Sequence, residues 1–222
     1  MQIPTISIDN ILKESCPAVR LGVLLMKVNV APSGESLLSK IAQRLGEQAA
    51  SLSTENIALI PPLHDTRQMY KALGKDPSRY RPSAEALLRR VVNGKGLYQV
   101  NNVVDALNLV SVTSGFSIGG YDYEKIKGNI RLGRGAAGEP YQAIGRGELN
   151  IDGLPVLRDN EGAFGSPTSD SPKTMVTPQA KIFLAVIFDF GANDGLQKTL
   201  SELEEYLVAH ANGETLDRRL GQ

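Results

Sequence analysis

The sequence predicts a mixed α+β domain, and three observations lead there. Apolar residues recur at helical spacing through the first half. Short glycine-punctuated segments of strand character dominate from about residue 116. A near-continuous apolar run, "AKIFLAVIFDFG", then precedes one more amphipathic helix.

Taken in order, "AVRLGVLLMKVNV" (18–30) is apolar and β-branched enough for a buried strand, bounded by "APSGES". Leu37, Leu38, Ile41 and Leu45 share a helical face, with Ser33 or Ser36 placed to cap its start. Residues 63–73 predict a short helix stopped at Gly74. The clearest helix lies in "DPSRYRPSAEALLRRVVNGKG", where Leu87, Leu88 and Val91 face inward and "NG" ends the run. In the next helix Val100, Val103, Val104, Leu107 and Val110 form the stripe. Asn102 is placed to cap it, with Asp105 at the positive end of the dipole. After that, "IGGYD", "NIRLGR", "AIGRGELNIDG" and "LPVLRD" read as strands joined by tight turns, and "EGAFGSPTSDSPKTMVT" as a long polar loop. The run at 180–191 is apolar on both faces and should be covered on both. Leu196, Leu200, Leu203 and Leu207 mark a helix over about 195–211, and the polar tail 214–222 is expected to fray.

A chain of 222 residues can bury a substantial core, as one domain or two tightly joined halves; residues 1–222 are taken as one. With 24 basic and 24 acidic residues, the whole-chain charge argues for neither nucleic acid nor a membrane surface, although a local patch stays open. Cys16 is alone, so no disulfide framework or cysteine metal site is expected. The two histidines, His64 and His210, lie far apart without a zinc spacing, and no cofactor or metal is expected. "MQIPTISIDNILKES" lacks a basic, apolar leader pattern, and no run is long enough for a membrane span, which makes the cytoplasm the expected location.

Four features offer chemistry. Between Lys71 and Lys95 stand Lys71, Lys75, Arg79, Arg81, Arg89, Arg90 and Lys95 against only Asp76 and Glu85. That is either a phosphate-contacting face for RNA or a solvated helix surface with its arginines paired. Asn101, Asp105 and Asn108 share one flank of their helix; Asn108 borders the stripe, so backbone or a ligand must satisfy its amide. Gly119 and Gly120, with Gly162 and Gly165, allow close approach, either as a cleft for a planar side chain or as plain bulges. "SDSPKT" sets Asp170, Ser171 and Lys173 on one loop, as a ligand clasp or a solvated turn.

From about 60 to 190, through "NNVVDALNLV", "IGGYD" and "EGAFG…SPKTMVTPQAKIFLAVIF", the chain resembles the B3/B4 domain of the phenylalanyl-tRNA synthetase β subunit and the free-standing B3/B4 tRNA-binding domain proteins. The resemblance implies a layered β/β/α sandwich with flanking helices. It also implies descent from an editing site that hydrolyses wrongly attached tyrosine. Carried over by position, the family's helix asparagine is kept as Asn108, and the threonine before it is Leu107. The family's histidine position holds Gly119, and the glutamate that recognises the tyrosine hydroxyl falls near Ala185. The glycine of the facing loop falls near Gly162. Lost polarity at Gly119 and Ala185 weakens tyrosine discrimination, because such selectivity depends on the buried polar partner.

Two functions follow as expectations. One is a trans-acting deacylase of mischarged aminoacyl-tRNA, with Asn108, Asp170 and Ser171 as candidate catalytic residues. Asn108, Gly119, Gly120, Gly162, Ala163 and Ala185 would line its substrate site, and Arg79, Arg81, Arg89, Arg90 and Lys95 would meet the RNA. The other is a non-catalytic RNA- or small-molecule-binding module that kept the cleft and lost the chemistry. Its partner would be a tRNA, or an amino acid or other small ligand.

Overall fold

Every residue of "IFLAVIFD" is buried, so the strand it forms must have a layer against each face. The computed structural model, which describes residues 1–221, supplies both layers. Strand β1 (Ile6–Ile8) and helix α1 (Asn10–Ser15) lead into β2 (Arg20–Lys27). Helices α2 (Glu35–Ser51), α3 (Pro61–Ala72), α4 (Ser83–Val92) and α5 (Asn102–Ser114) follow. Then come β3 (Ile118–Asp122), β4 (Ile130–Arg134), the two-residue strands β5 (Gln142–Ala143) and β6 (Gly147–Glu148), β7 (Pro155–Asp159) and β8 (Gly162–Gly165). The apolar strand is β9 (Ile182–Asp189), followed by α6 (Gly195–Ala211) and β10 (Glu214–Gly221).

One sheet has the order β10-β2-β9-β3, antiparallel throughout, with β9 inside. The second has the order β1-β4-β7-β8, with only β1 and β4 parallel. Alternation along β9 divides the core. Phe183, Ala185 and Ile187 join Leu107 and Val110 of α5 and Leu200 and Leu203 of α6. Ile182, Leu184, Val186 and Phe188 meet Leu132, Leu157 and Phe164 of the second sheet. Each large apolar side chain so buried stabilises the fold by about 1.5–3 kcal/mol. The outcome is the expected α+β sandwich of two β layers and a helical layer.

Helix α5 is fixed at its start by the asparagine pair, with the roles divided differently from the sequence reading. Asn101, not Asn102, is the cap: its side-chain oxygen accepts from the Val103 and Val104 amides at 3.1 and 2.9 Å. Asn102 is buried and acts as a clamp. Its Oδ1 accepts from the Ala31 amide, its own amide donates to the Ala31 carbonyl, and its Nδ2 donates to the carbonyls of Asn29 and His210. Gly115, at φ +80°, ends the helix in the left-handed conformation. Val100, expected in the stripe, is exposed because it precedes the cap.

Other differences have equally local causes. Neither Ser33 nor Ser36 caps α2, whose first flanking residue is Gly34; the Ser33 hydroxyl instead donates to Asp105 at 2.6 Å. Residues 76–82 stay outside α4, which starts at Ser83 behind Pro82. The predicted polar loop after Glu161 is partly strand, β8, and buries Ser166, Thr168, Ser171 and Thr174. The tail expected to fray is an edge strand over Glu214–Gly221, hydrogen-bonded along β2; Gln222 lies outside the described residues. Polarity misled there because an edge strand exposes one face and carries charge without penalty.

Replacing Asn102 by alanine removes the partner of the Ala31 amide and of the Asn29 and His210 carbonyls at a part-buried junction. Asn102→Ala should therefore cost about 3 kcal/mol or more, seen as a lower urea midpoint with an unchanged denaturant slope.

Candidate functional site

Between the glycine-bearing strands β3 and β8, where a cleft was expected, a side chain of the protein itself fills the slot. On β3, residues two apart share a face, so Gly119 and Tyr121 both point toward the second sheet. The Tyr121 ring lies back over Gly119 and reaches Gly165 of β8. A Cβ on either glycine would overlap the Tyr121 hydroxyl and ring. Phe164 closes the slot edge-on, with ring centroids 5.0 Å apart at 89°. Tyr121 is fully buried.

The phenol is anchored at the end of the slot. Its hydroxyl donates to Asp170 Oδ1 at 2.8 Å, and the Gly120 amide donates to Oδ2 at 3.3 Å. Burial pushes the Asp170 carboxyl up to about 7, against the pull of Tyr121 and the Gly120 and Ser166 backbone. Burial, with the Asp170 charge adding to it, holds Tyr121 well above the usual phenol range. Tyr141 is buried nearby and is raised by the same two causes; its hydroxyl donates to the Ser169 carbonyl at 2.7 Å. The unit is a carboxyl able to titrate near neutrality, bonded to a phenol that cannot.

The structure gathers some of the sequence-predicted residues and separates others. Gly119, Gly120 and Asp170 meet around Tyr121. Ala185 pairs with Gly120 across the sheet, but its side chain is fully buried in the helix-facing core, on the face away from the slot. It therefore lines no pocket shared with Gly119. Gly120 has its own constraint: a Cβ there would press on Leu107 of α5 and on the Phe183 ring. Gly162, at φ +121°, turns the β7–β8 hairpin with open space where a side chain would stand. Ala163 packs beside Tyr141, on the outer side of the second sheet. Asn108 lies with Val104 on the half-buried strip of α5. Its amide has no hydrogen bond among the described residues, so backbone does not satisfy it.

The "SDSPKT" loop is spent on its own turn. Ser171 Oγ accepts from the Lys173 amide at 3.3 Å, and Lys173 Nζ is held by Asp159 at 2.8 Å and Glu161 at 3.4 Å. Asp170 faces Tyr121, so no acid–hydroxyl pair forms with Ser171. A nucleophile needs its base within hydrogen-bond reach, and Ser171 lacks one.

The basic patch is likewise thinned. Glu85 is fully buried, with Arg67 and Arg89 each at 2.9 Å and Arg81 at 3.5 Å. Lys75 donates to the Asn150 and Asp152 carbonyls and sits 3.9 Å over the Tyr80 ring. Arg79 lines an open cleft of about 680 Å³ together with Glu139, Glu148 and Asp152. Lys71 borders another with Asp65. Of the predicted contacts, Arg81 and Arg89 are paired to Glu85, while Arg79, Arg90 and Lys95 make no ion pair among the described residues. Among the described residues no three of His, Cys, Asp and Glu converge to hold a metal ion, and no helix is long and apolar enough to cross a membrane.

Sequence reasoning missed Tyr121 itself. The signal was available in "GGYD": a glycine two residues before an aromatic on a strand leaves room for that ring on its own face.

Comparison with known proteins places the fold. The family model of the B3/4 domain matches residues 65–191, more than half of the chain. A solved N-terminal fragment of the phenylalanyl-tRNA synthetase β-subunit from Pyrococcus horikoshii superposes with a TM-score of 0.50 at 16% identity, covering 97% of this chain. The chain spans about half (53%) of that fragment. A search of curated proteins found no match.

Two measurements test the slot. Gly119→Ala should destabilise the protein by about 1–3 kcal/mol, and less in a Tyr121→Ala background, because the two changes share one space. The Asp170 carboxyl keeps its proton up to about pH 7 when folded, whereas an unfolded aspartate loses it near about pH 4. This group therefore lowers stability as pH rises between those values. Denaturant unfolding should show Asp170→Asn losing that component of the pH dependence.

Proposed function

This chain belongs to the B3/4 domain family, and from that premise we propose that it is a tRNA-related binding module whose editing-type slot is closed by its own tyrosine. The observation that carries this reading is the Tyr121 ring lying over Gly119 and Gly165 with its hydroxyl on Asp170. An aminoacyl group would have to take the space that this ring fills. It would also have to replace a buried phenol–carboxyl hydrogen bond of the kind that leaves a costly unpaired group when broken.

The catalytic groups support the same reading. Ser171 has no base, Ala185 offers no polar contact, and Gly119 carries no imidazole. RNA affinity on this reading comes from a small local positive face in a chain of zero formal net charge, so it is modest and salt-sensitive. The tRNA link itself comes from the likeness to a tRNA synthetase subunit fragment.

A second reading has two observations in its favour. Asn108 presents an unbonded amide at the surface of α5, and Asp170 titrates near neutral pH, where a general base works best. A deacylase built on these groups requires Tyr121 to swing out when substrate arrives.

Incubation with a panel of mischarged tRNAs separates the two. The module reading expects ester loss at the spontaneous rate, together with tRNA binding that weakens as salt rises. Accelerated ester loss that Asn108→Ala or Asp170→Asn abolishes would establish the deacylase instead.

A further inference from the structure

Arg90 stands in the last turn of α4, where the chain must reverse before α5. Gly94 and Gly96, at φ +71° and +59°, make that turn. The Arg90 guanidinium then holds the loop from inside: Nε donates to the Gly96 carbonyl at 3.2 Å and Nη2 to the Lys95 carbonyl at 3.3 Å. Nη1 donates to the Tyr98 hydroxyl at 2.9 Å, and the guanidinium carbon lies 3.8 Å from the Tyr98 ring centroid. Tyr98 is thus fixed at both its ring and its hydroxyl while remaining 61% exposed, with Val100 beside it in sequence 59% exposed. A large apolar ring is costly to leave in water, and an immobilised ring has already lost the freedom that binding would remove.

The electrostatic setting of this ring is one-sided. From residue 86 to 104 the chain has no aspartate or glutamate, and the flanking Glu85 and Asp105 are both buried. Glu85 takes up Arg89, while Asp105 accepts from Ser33 and from the Val100 amide. Among the described residues neither Arg90 nor Lys95 is ion-paired to a carboxylate, in contrast to Arg67 and Arg89.

We propose that the Arg90-backed Tyr98 ring is a stacking platform for one unpaired base of an RNA strand, with Lys95 placed for the adjoining phosphate. A planar ring resting on a planar cation accepts any base by its face, and base–aromatic stacking of this kind needs no sequence code. A negatively charged strand is favoured over an apolar protein surface because the ring rests on the Arg90 cation and its own stretch, residues 86–104, carries no acid. The inference rests on the RNA-binding reading and specifies where that binding occurs.

The test compares the wild type with Tyr98→Ala, Tyr98→Phe and Lys95→Ala, using unmodified tRNA and a short single-stranded oligoribonucleotide carrying 2-aminopurine. Tyr98→Ala should weaken both complexes about five- to a hundredfold, abolish 2-aminopurine quenching, and leave the salt dependence unchanged. Tyr98→Phe, which keeps the face, should bind within about twofold of wild type. Lys95→Ala should instead flatten the salt dependence by about 0.7 in the log–log slope for the single strand. Undiminished binding and quenching by Tyr98→Ala would overturn the platform while the RNA reading stands. Failure of the wild type to bind either RNA would overturn both. If that failure came with self-association lost in Tyr98→Ala, by sedimentation, the ring would belong to a protein contact.

Discussion

The two-sided burial of β9 is the constraint on which the rest of this structure depends. A strand with no polar face cannot end a layer, so helices must lie on one side and a second sheet on the other. Glycines set how closely those layers approach. A Cβ on Gly22 of β2 would stand 3.0 Å from Leu196, and one on Gly120 of β3 would stand 2.7 Å from Leu107, so both helices rest on bare backbone. Gly119 does the same on the opposite face for Tyr121. Thus "GG" in β3 serves two cores at once, one residue for each side of the sheet.

The acids drawn into the fold differ in what holds them. Asp189 accepts from Arg20 and from the Gly191 and Asn193 amides, and Asp159 from Lys173 and two backbone amides. Glu85 has three arginines around it. Each of these carboxylates has a cation. Asp170 has neutral donors only, the phenol of Tyr121 and backbone amides, and it is the acid whose proton affinity rises toward neutrality. That contrast separates the slot from the ordinary ion pairs of the molecule.

Much of the architecture was legible from residue pattern. The β9 run, the leucine stripe of α6 and the hydrophobic face of α5 are strong periodic signals that packing reinforces. Other features depended on partners far away in sequence. Asn101 and Asn102 look alike until Ala31 and the His210 carbonyl show which one is the clamp. The strand character of Glu214–Gly221 follows from the open edge of β2 and not from its own residues. The candidate site was half legible: Gly119, Gly120 and Asp170 were named and do converge, while Ala185 lies on the wrong face. Positions carried over from relatives locate backbone, but they do not say which side chain has moved into a vacated space. Here the space beside Gly119 is taken by a ring from two residues along the same strand.

The Asn102 clamp also bears on how the chain comes to be folded during synthesis. Its amide joins backbone groups separated from it by 71 and 108 residues, the farther one at the end of α6. A chain still growing on the ribosome can pair Asn102 with Ala31, but the bond to the His210 carbonyl must wait until that helix has emerged. Until then the start of α5 carries an unmatched donor beside an uncovered apolar face. Contacts of such long sequence separation are the kind that slow folding. The Asn102 side chain thus ties the start of α5 to the end of α6 across 108 residues of sequence.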